Sequence, residues 1–423
     1  MHKPTPQSTP RAIPALHLFT LAILLLAGGA AHAGDDDAYP VWSFSGFGSL
    51  GVAHSDYDQA DFTSNILKDG GAGASHKWAS NLDSRLGGQL GVKFHKHWSG
   101  VVQIGVEQRY DGSYRPQVEW ANVKYQATPK LALRVGRIAL PIFLAADYRK
   151  IGYAYPWVRT PNEVYGGVPI TNSDGADIAY RWQSGRVKHT TQAFYGKTDV
   201  YLTKTTGVKA RGLGGVTHSA EWGPATVRVS AFTAVLDVNI VRALFDGYRQ
   251  FGPAGVAIAD KYDVVARRTT GFAMGVNYDP GKWFLMAEGG RMNTRSFLGD
   301  TIGMYASAGY RIGEFTPYLS YSRNKAMGPL SDPGLSLAGL PPPVAYAAAQ
   351  LNGNLNVLLK ATSSQTNIGV GVRWDLRPDM ALKLQYEHLT PRDGTRGTLI
   401  NLQSGFVSGH SVNVTSAVLD FVF

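Results

Sequence analysis

The sequence predicts an all-β fold, a transmembrane antiparallel β-barrel of sixteen strands, and three observations predict it. From Ser43 onward, segments of about ten residues alternate apolar and polar with a period of two, as strands with one apolar and one polar face do. The connections between them run short, then long, then short again. After residue 33 no window approaches the ~20 apolar residues that a membrane-spanning helix needs. A closed barrel is the other way to satisfy every backbone hydrogen bond inside a bilayer.

Composition narrows the classes first. None of the 423 residues is cysteine, which excludes a disulfide scaffold, a thiol nucleophile and a cysteine-ligated metal. With 44% hydrophobic and only 17% charged residues the chain is not disordered. The net charge of +10 suits nucleic acid, an anionic surface or an anionic solute equally. Lys3 and Arg11, an apolar run from Ala15 to Ala27 and Ala31-His32-Ala33 have the order of a secretory signal cleaved after Ala33. Removing residues 1–33 takes away those two bases and no acid, leaving one domain, 34–423, with a charge of +8. Export makes nucleic acid a poor partner for that charge.

The strands follow in order, centred near residues 48, 89, 104, 121, 134, 178, 191, 216, 230, 273, 288, 306, 319, 369, 384 and 417. In the second, Leu86, Leu90, Val92 and Phe94 oppose Arg85, Gln89 and Lys93; in the ninth, Val227, Val229 and Val235 oppose Arg228 and Ser230. Even-numbered strands end in turns such as His95-Lys96-His97, Gln183-Ser184-Gly185 and Asp279-Pro280-Gly281, whereas long loops follow the first, fifth and thirteenth. That rhythm puts turns at one rim and loops at the other. Trp42, Trp98, Trp182, Trp222, Trp283 and Trp374 collect near the turn rim, an interfacial girdle that a soluble sandwich has no reason to build. In the last strand Ala417, Leu419, Phe421 and Phe423 share a face and end on an aromatic ring. This ending resembles the signal by which the barrel-assembly machinery recognises its clients, with Leu419, Phe421 and Phe423 as its residues.

With these elements in place, the mature chain resembles the sixteen-stranded porins of Gram-negative outer membranes. The nearest local matches are Phe44-Ser45-Gly46-Phe47-Gly48-Ser49-Leu50 and the run from Ala121-Asn122-Val123-Lys124-Tyr125 to Leu133-Arg134-Val135-Gly136-Arg137. The resemblance implies a third loop, 140–173, folded into the lumen as a constriction, a homotrimer, an environment of outer-membrane lipid and lipopolysaccharide, and passive diffusion of small hydrophilic solutes. Two features depart from the family: Glu163-Val164-Tyr165-Gly166-Gly167 matches the third-loop motif only partly, and the second loop, Tyr110 to Pro116, has seven residues where the family has a latch.

In such a protein function lies with lumen-facing side chains. Alternation puts Arg85, Lys93, Arg109, Lys124, Arg134, Arg181, Lys188, Arg228, Arg311, Arg373 and Lys383 inside, with the acids Asp83, Glu107, Asp177, Glu221, Glu288, Glu387 and Asp420. Arg85, Arg109, Arg134 and Arg228 form the expected basic wall, giving a modest preference for anions or small organic acids. Strict alternation points Arg137 at lipid, whereas the resemblance turns it inward to join that wall. The loop supplies Asp147, Arg149, Lys150, Tyr155, Arg159 and Glu163. Its carboxylates would set a transverse field against the wall, and its rings would either pack the loop or form a sliding surface. No spacing marks a catalytic dyad, a metal centre or a cofactor, although His410-Ser411 and His95-x-His97 occur. The competing functions are a barrel enzyme of lipase or protease type and a non-conducting structural or adhesive barrel. About nine residues between the expected cleavage site and the first strand leave no room for a plug domain.

Overall fold

The computed structural model describes residues 39–166, 170–203 and 206–423, so the expected cleavage after Ala33 lies outside the described residues. Sixteen long strands follow: β1 Val41–Ser55, β2 Arg85–His95, β3 Trp98–Glu107, β4 Gln117–Gln126, β5 Leu131–Ala139, β6 Asn172–Ser184, β7 Val187–Tyr201 and β8 Gly207–Trp222. The second half comprises β9 Ala225–Val238, β10 Arg267–Tyr278, β11 Trp283–Asn293, β12 Asp300–Tyr310, β13 Phe315–Ala326, β14 Gln365–Arg377, β15 Met380–Pro391 and β16 Val412–Val422. Each pairs antiparallel with its sequence neighbours, and β1 pairs with β16 from Phe47↔Val422 to Ser55↔Val414, closing the barrel. A two-residue piece, Trp78–Ala79, adds to the upper end of β1.

Ring-on-glycine contacts hold that seam. Phe421 and Phe423 stack on each other and cover Gly48 and Gly46 of β1; a Cβ at Gly48 would lie 2.3 Å from the Phe421 ring. Aromatic cover of a strand glycine restores the packing that glycine forgoes. Gly48→Val is expected to displace that ring at an overpacking cost of about 1–3 kcal/mol. Loss of the compact band at a lower temperature on unboiled gels is the measurement that checks it.

The outward face is apolar. The six girdle tryptophans are 37% to 63% exposed there, and Phe44, Leu50, Val135 and Leu319 continue the band towards the far rim. At that rim the loops are not featureless. Helices α1 (Arg242–Arg249) and α2 (Gly252–Tyr262) lie between β9 and β10, and α3 (Pro342–Lys360) lies between β13 and β14. Alternation gives no hint of these helices, but α3 does carry a helical period. Its Ala348, Leu351, Leu355 and Leu359 line one side at helical spacing, with Pro342 and Pro343 opening the helix. The helices share a core with the inward side chains Phe194, Ala210 and Leu236 of β7–β9 and with Leu140 and Ile142 of the third loop. That part of the outer lumen is thus filled with apolar side chains, and a polar cavity lies on the side of β2–β7.

Candidate functional site

The third loop leaves β5 after Ala139 and ends at Thr171, because Asn172 and Ser173 already pair with Ala139 and Ile138. It crosses the bore and is bonded to the wall along its length. Thr217, Ser230 and Arg228 donate to the carbonyls of Pro141, Ile142 and Phe143 at 2.7, 2.8 and 2.7 Å. Glu288 on β11 accepts the Leu144 amide at 2.6 Å and the Tyr165 hydroxyl. On the opposite wall Arg373 donates to Tyr153 O at 2.6 Å, and Lys383 donates to Gly152 O and Trp157 O at 2.6 and 2.9 Å. Four wall cations, Arg85 among them through Arg149 O at 3.5 Å, thus serve loop carbonyls. An infolded loop has lost its water, so each buried carbonyl needs such a donor.

Two ionic clamps complete the attachment. The Arg159 guanidinium forks onto Asp83 at 3.1 and 2.6 Å, reaches Glu387, and donates to Ser416 Oγ at 2.7 Å. Burial opposes ionisation of Asp83, but Arg159, with Arg85 and Lys68 behind it, outweighs burial and holds the carboxyl below its ordinary pKa. Lys150 contacts Glu107 and lies 3.8 Å from Glu119. Burial disfavours its ammonium, yet the two carboxylates prevail and its pKa is raised.

Above the loop, on the extracellular side, lies a polar cavity of about 380 Å³ lined by Lys68, Arg85, Glu107, Tyr110, Arg149 and Lys150, among others. A second cavity of about 10 Å³, room for one water, lies between the loop residues Asp147, Arg149 and Lys150 and the wall residues Gln103 and Glu119. This narrow strip runs between the loop and the wall strands β3 and β4. Lys68, from the first loop, donates to Asn81 O at 3.3 Å, and burial brings its pKa down to about 8 against the pull of Glu107 and Asp83.

Arg85, Arg134 and Arg228 face the lumen on their strands. Arg134 is held bidentately by Asp177, at 3.1 and 2.7 Å, and Arg228 by the loop. Arg109 lies past the end of β3 in a turn, 3.9 Å from Asp111, at the cavity mouth. Arg137 corrects the expectation of an inward side chain. Arg134 faces in, Val135 is 63% exposed outside and Ile138 is buried inside, so alternation continues through Gly136 and leaves Arg137 outside. There it forks onto Asp174 of β6 at 2.7 and 2.8 Å, donates to Val118 O and borders the outer cavity from the rim.

Glu163 also departs from expectation. It faces no arginine but accepts bonds from Ser322 and Gln365, both at 2.6 Å, and burial raises its pKa. Its partners are thus neutral side chains of β13 and β14 and not the arginines of the wall. Asp147 stays half-buried beside the narrow strip, within electrostatic reach of Arg134. Tyr148, Tyr153, Tyr155, Trp157 and Tyr165 are 8% exposed or less and pack the loop, so they offer no sliding surface. Two site residues escaped sequence reasoning. Lys68 sits in an aperiodic loop that carries no facing signal. Glu119 turns inward only because the β3–β4 register slips between Gln103 and Ile104.

His410 stacks on Tyr57 while Ser411 bonds Thr390, so these two form no dyad with each other. Among the described residues no three His, Cys, Asp or Glu side chains gather as a metal site.

A closed barrel with an apolar exterior, a charged lumen and a loop drawn across the bore defines a β-barrel channel of the outer membrane. Residues 20–403 match the family model described as Gram-negative porin, and the chain belongs to that family. The fold is similar to the anion-selective porin from Comamonas acidovorans, at 13% identity and TM-score 0.52 over 91% of this chain and 100% of that one. It is similar also to the outer-membrane channel DcaP of Acinetobacter baumannii, at 10% identity and TM-score 0.53 over 93% of this chain and 100% of that one. Salmonella typhi OmpF, solved with daunomycin, gives 14% identity and TM-score 0.53 over 90% and 97% of the two chains. No curated sequence matches. The protein is thus an outer-membrane diffusion channel.

Proposed function

We propose that this channel is non-enzymatic, passes small hydrophilic solutes with a modest preference for anions or small organic acids, and works as a homotrimer. The observation that carries the preference is the outer cavity, where Lys68, Arg85, Arg149 and Lys150 surround Glu107 and Glu119. With Arg109, Arg137 and Arg159 and with Asp199, the lining holds seven cations against three carboxylates, an excess of positive charge just above the narrow strip. Screening over ~8 Å at physiological salt confines its effect to that region. The anion selectivity of the Comamonas porin, similar in fold, agrees in direction. Reversal potential across a bilayer in a salt gradient tests the reading, and cation selectivity would overturn it.

Lys68 gives the preference a pH dependence. Its ammonium is charged below a pKa of about 8 and neutral above it. Anion preference is therefore expected to fall as pH rises through that value, and Lys68→Gln to show the lower preference throughout with no such step. A wild-type profile flat across this range would remove Lys68 from the account.

The trimer is supported by the outward face of β14–β16 and β1–β4. Its strand positions, from Ile368, Leu384 and Leu419 to Leu50, Leu90, Val102 and Val123, carry no Lys, Arg, Asp or Glu among the described residues except Arg377, which pairs with Met380 at the turn rim. Such a sector suits a neighbouring subunit. Native mass spectrometry of the detergent-extracted protein decides between one copy and three. The outward row Leu419, Phe421 and Phe423 is the proposed contact with the barrel-assembly machinery.

A further inference from the structure

Two histidines stand side by side on the outside of the barrel, near the turn rim. Tyr195 of β7 and Val216 and Trp222 of β8 are exposed outside, and steps of two along each strand put His189 and His218 on the same face. His189 lies directly across from Trp182 of β6, and His218 directly across from Thr191 of β7, so the two histidines are diagonal neighbours. Trp182 stacks on His189 with ring centroids 3.9 Å apart and planes at 13°, which holds that imidazole level with the tryptophan girdle. An ionisable side chain beside lipid is costly and rare, and where one occurs it marks a functional site.

The rings converge on one point. His189 Nδ1 and His218 Nε2 are 3.3 Å apart. Two imidazole nitrogens bound at ~2.0–2.1 Å to one tetrahedral ion stand about 3.3–3.4 Å from each other, so the spacing is that of a chelate. On its other side His218 Nδ1 lies 2.9 Å from Thr191 Oγ1. With that hydroxyl accepting the Nδ1 proton, Nε2 keeps its lone pair towards His189, and such a partner on the second nitrogen is the usual companion of a ligating histidine. His189 Nδ1–H then donates to that lone pair. For a metal to enter, this proton needs only to move to His189 Nε2, through water reaching the half-exposed ring. Both imidazoles stay neutral, and each gives one lone pair to the ion. The outward neighbours Val187, Ala220, Trp222 and Val229 supply no oxygen ligand from their side chains, which disfavours magnesium and calcium. Among the described residues no third His, Asp or Glu joins the pair, so water completes the coordination.

We propose that His189 and His218 form a two-nitrogen binding site for a transition-metal dication, copper or zinc, on the outer face of the barrel at the turn rim, with Thr191 positioning His218. The site lies outside the lumen and rests on neither the solute preference nor the trimer. Copper(II), which binds nitrogen sites most tightly among the divalent first-row ions, is the probe. It is titrated alone into the full-length, untagged protein in detergent, and bound copper is read by electron paramagnetic resonance. Wild type should take up one copper whose spectrum shows coupling to two nitrogens, and excess magnesium should not displace it. His189→Gln and His218→Gln should each lose one nitrogen coupling and bind at least about tenfold more weakly. Thr191→Val should weaken binding by about tenfold or more, and Thr191→Ser, which keeps the hydroxyl, should restore it. His95→Gln with His97→Gln, in the turn after β2, should leave the two-nitrogen signal as in wild type. Unboiled gel mobility confirms that each variant is folded. A wild-type spectrum without two nitrogens, a signal lost in the turn variant but kept in the strand variants, or displacement by magnesium would each overturn the proposal. Equal binding by Thr191→Val and wild type would remove Thr191 from it.

Discussion

Arg159→Met is expected to release the third loop from the wall and raise single-channel conductance. The guanidinium serves Asp83 and Glu387 together, and all three side chains are 5% exposed or less. Methionine fills similar volume but leaves two buried carboxylates facing each other, a loss of about 3–5 kcal/mol for a broken buried pair. The loop's other bonds do not replace it, since Val158 N→Gln385 at 3.0 Å and Asn162→Thr63 at 2.5 Å are neutral contacts on either side. Limited proteolysis should cut the loop in the variant and spare it in wild type. Acid changes the outcome with a definite sign. Because the Asp83 pKa is depressed, its contribution to the clamp is complete above the ordinary carboxylate pKa and is lost as pH falls through the lower folded value. Acidification should therefore loosen the wild-type loop and, by neutralising the orphaned carboxyls, partly tighten the variant's. Unchanged conductance and protease resistance would remove Arg159 as the clamp.

Lys150→Glu is expected to invert ion selectivity. The side chain lies at the narrow strip between Glu107 and Glu119 and is 25% exposed, so its effect on stability is modest. Its effect on a passing ion is larger. A unit charge at 4 Å contributes about 1 kcal/mol in bulk water and about 4 kcal/mol near a protein surface. Exchanging + for − doubles that swing. The reversal potential should change sign, while Lys150→Gln should fall between. A potential that keeps the wild-type sign in both variants would place the selectivity step elsewhere.

Most of the barrel was legible because its signals are local. Alternation from Arg85 to Phe94 fixes which face meets lipid whatever lies beyond it, and tryptophans beside turns mark one interface. The same locality explains the seam, since Phe421 and Phe423 stand two residues apart and therefore share a face. Arg137 shows where analogy displaced a sound local argument: its alternation already pointed outward, and the partner that makes this tolerable, Asp174, lies across a loop of more than thirty residues. Glu119 shows the converse, since the slip that turns it inward is a property of two strands together.

The export class, the strand count, the orientation of the barrel, the facing of most strand residues and the existence of a long loop after β5 follow from the order of residues alone. Period, turn chemistry and aromatic placement are properties of contiguous residues. What the charges inside do depends instead on how the barrel closes. Arg228, Arg373 and Lys383 serve loop carbonyls, Glu163 is buried and accepts bonds from Ser322 and Gln365, and Lys68 enters from the first loop. An ionic side chain acts on whatever lies within a few ångströms, and in a closed barrel those neighbours come from the far side of the bore.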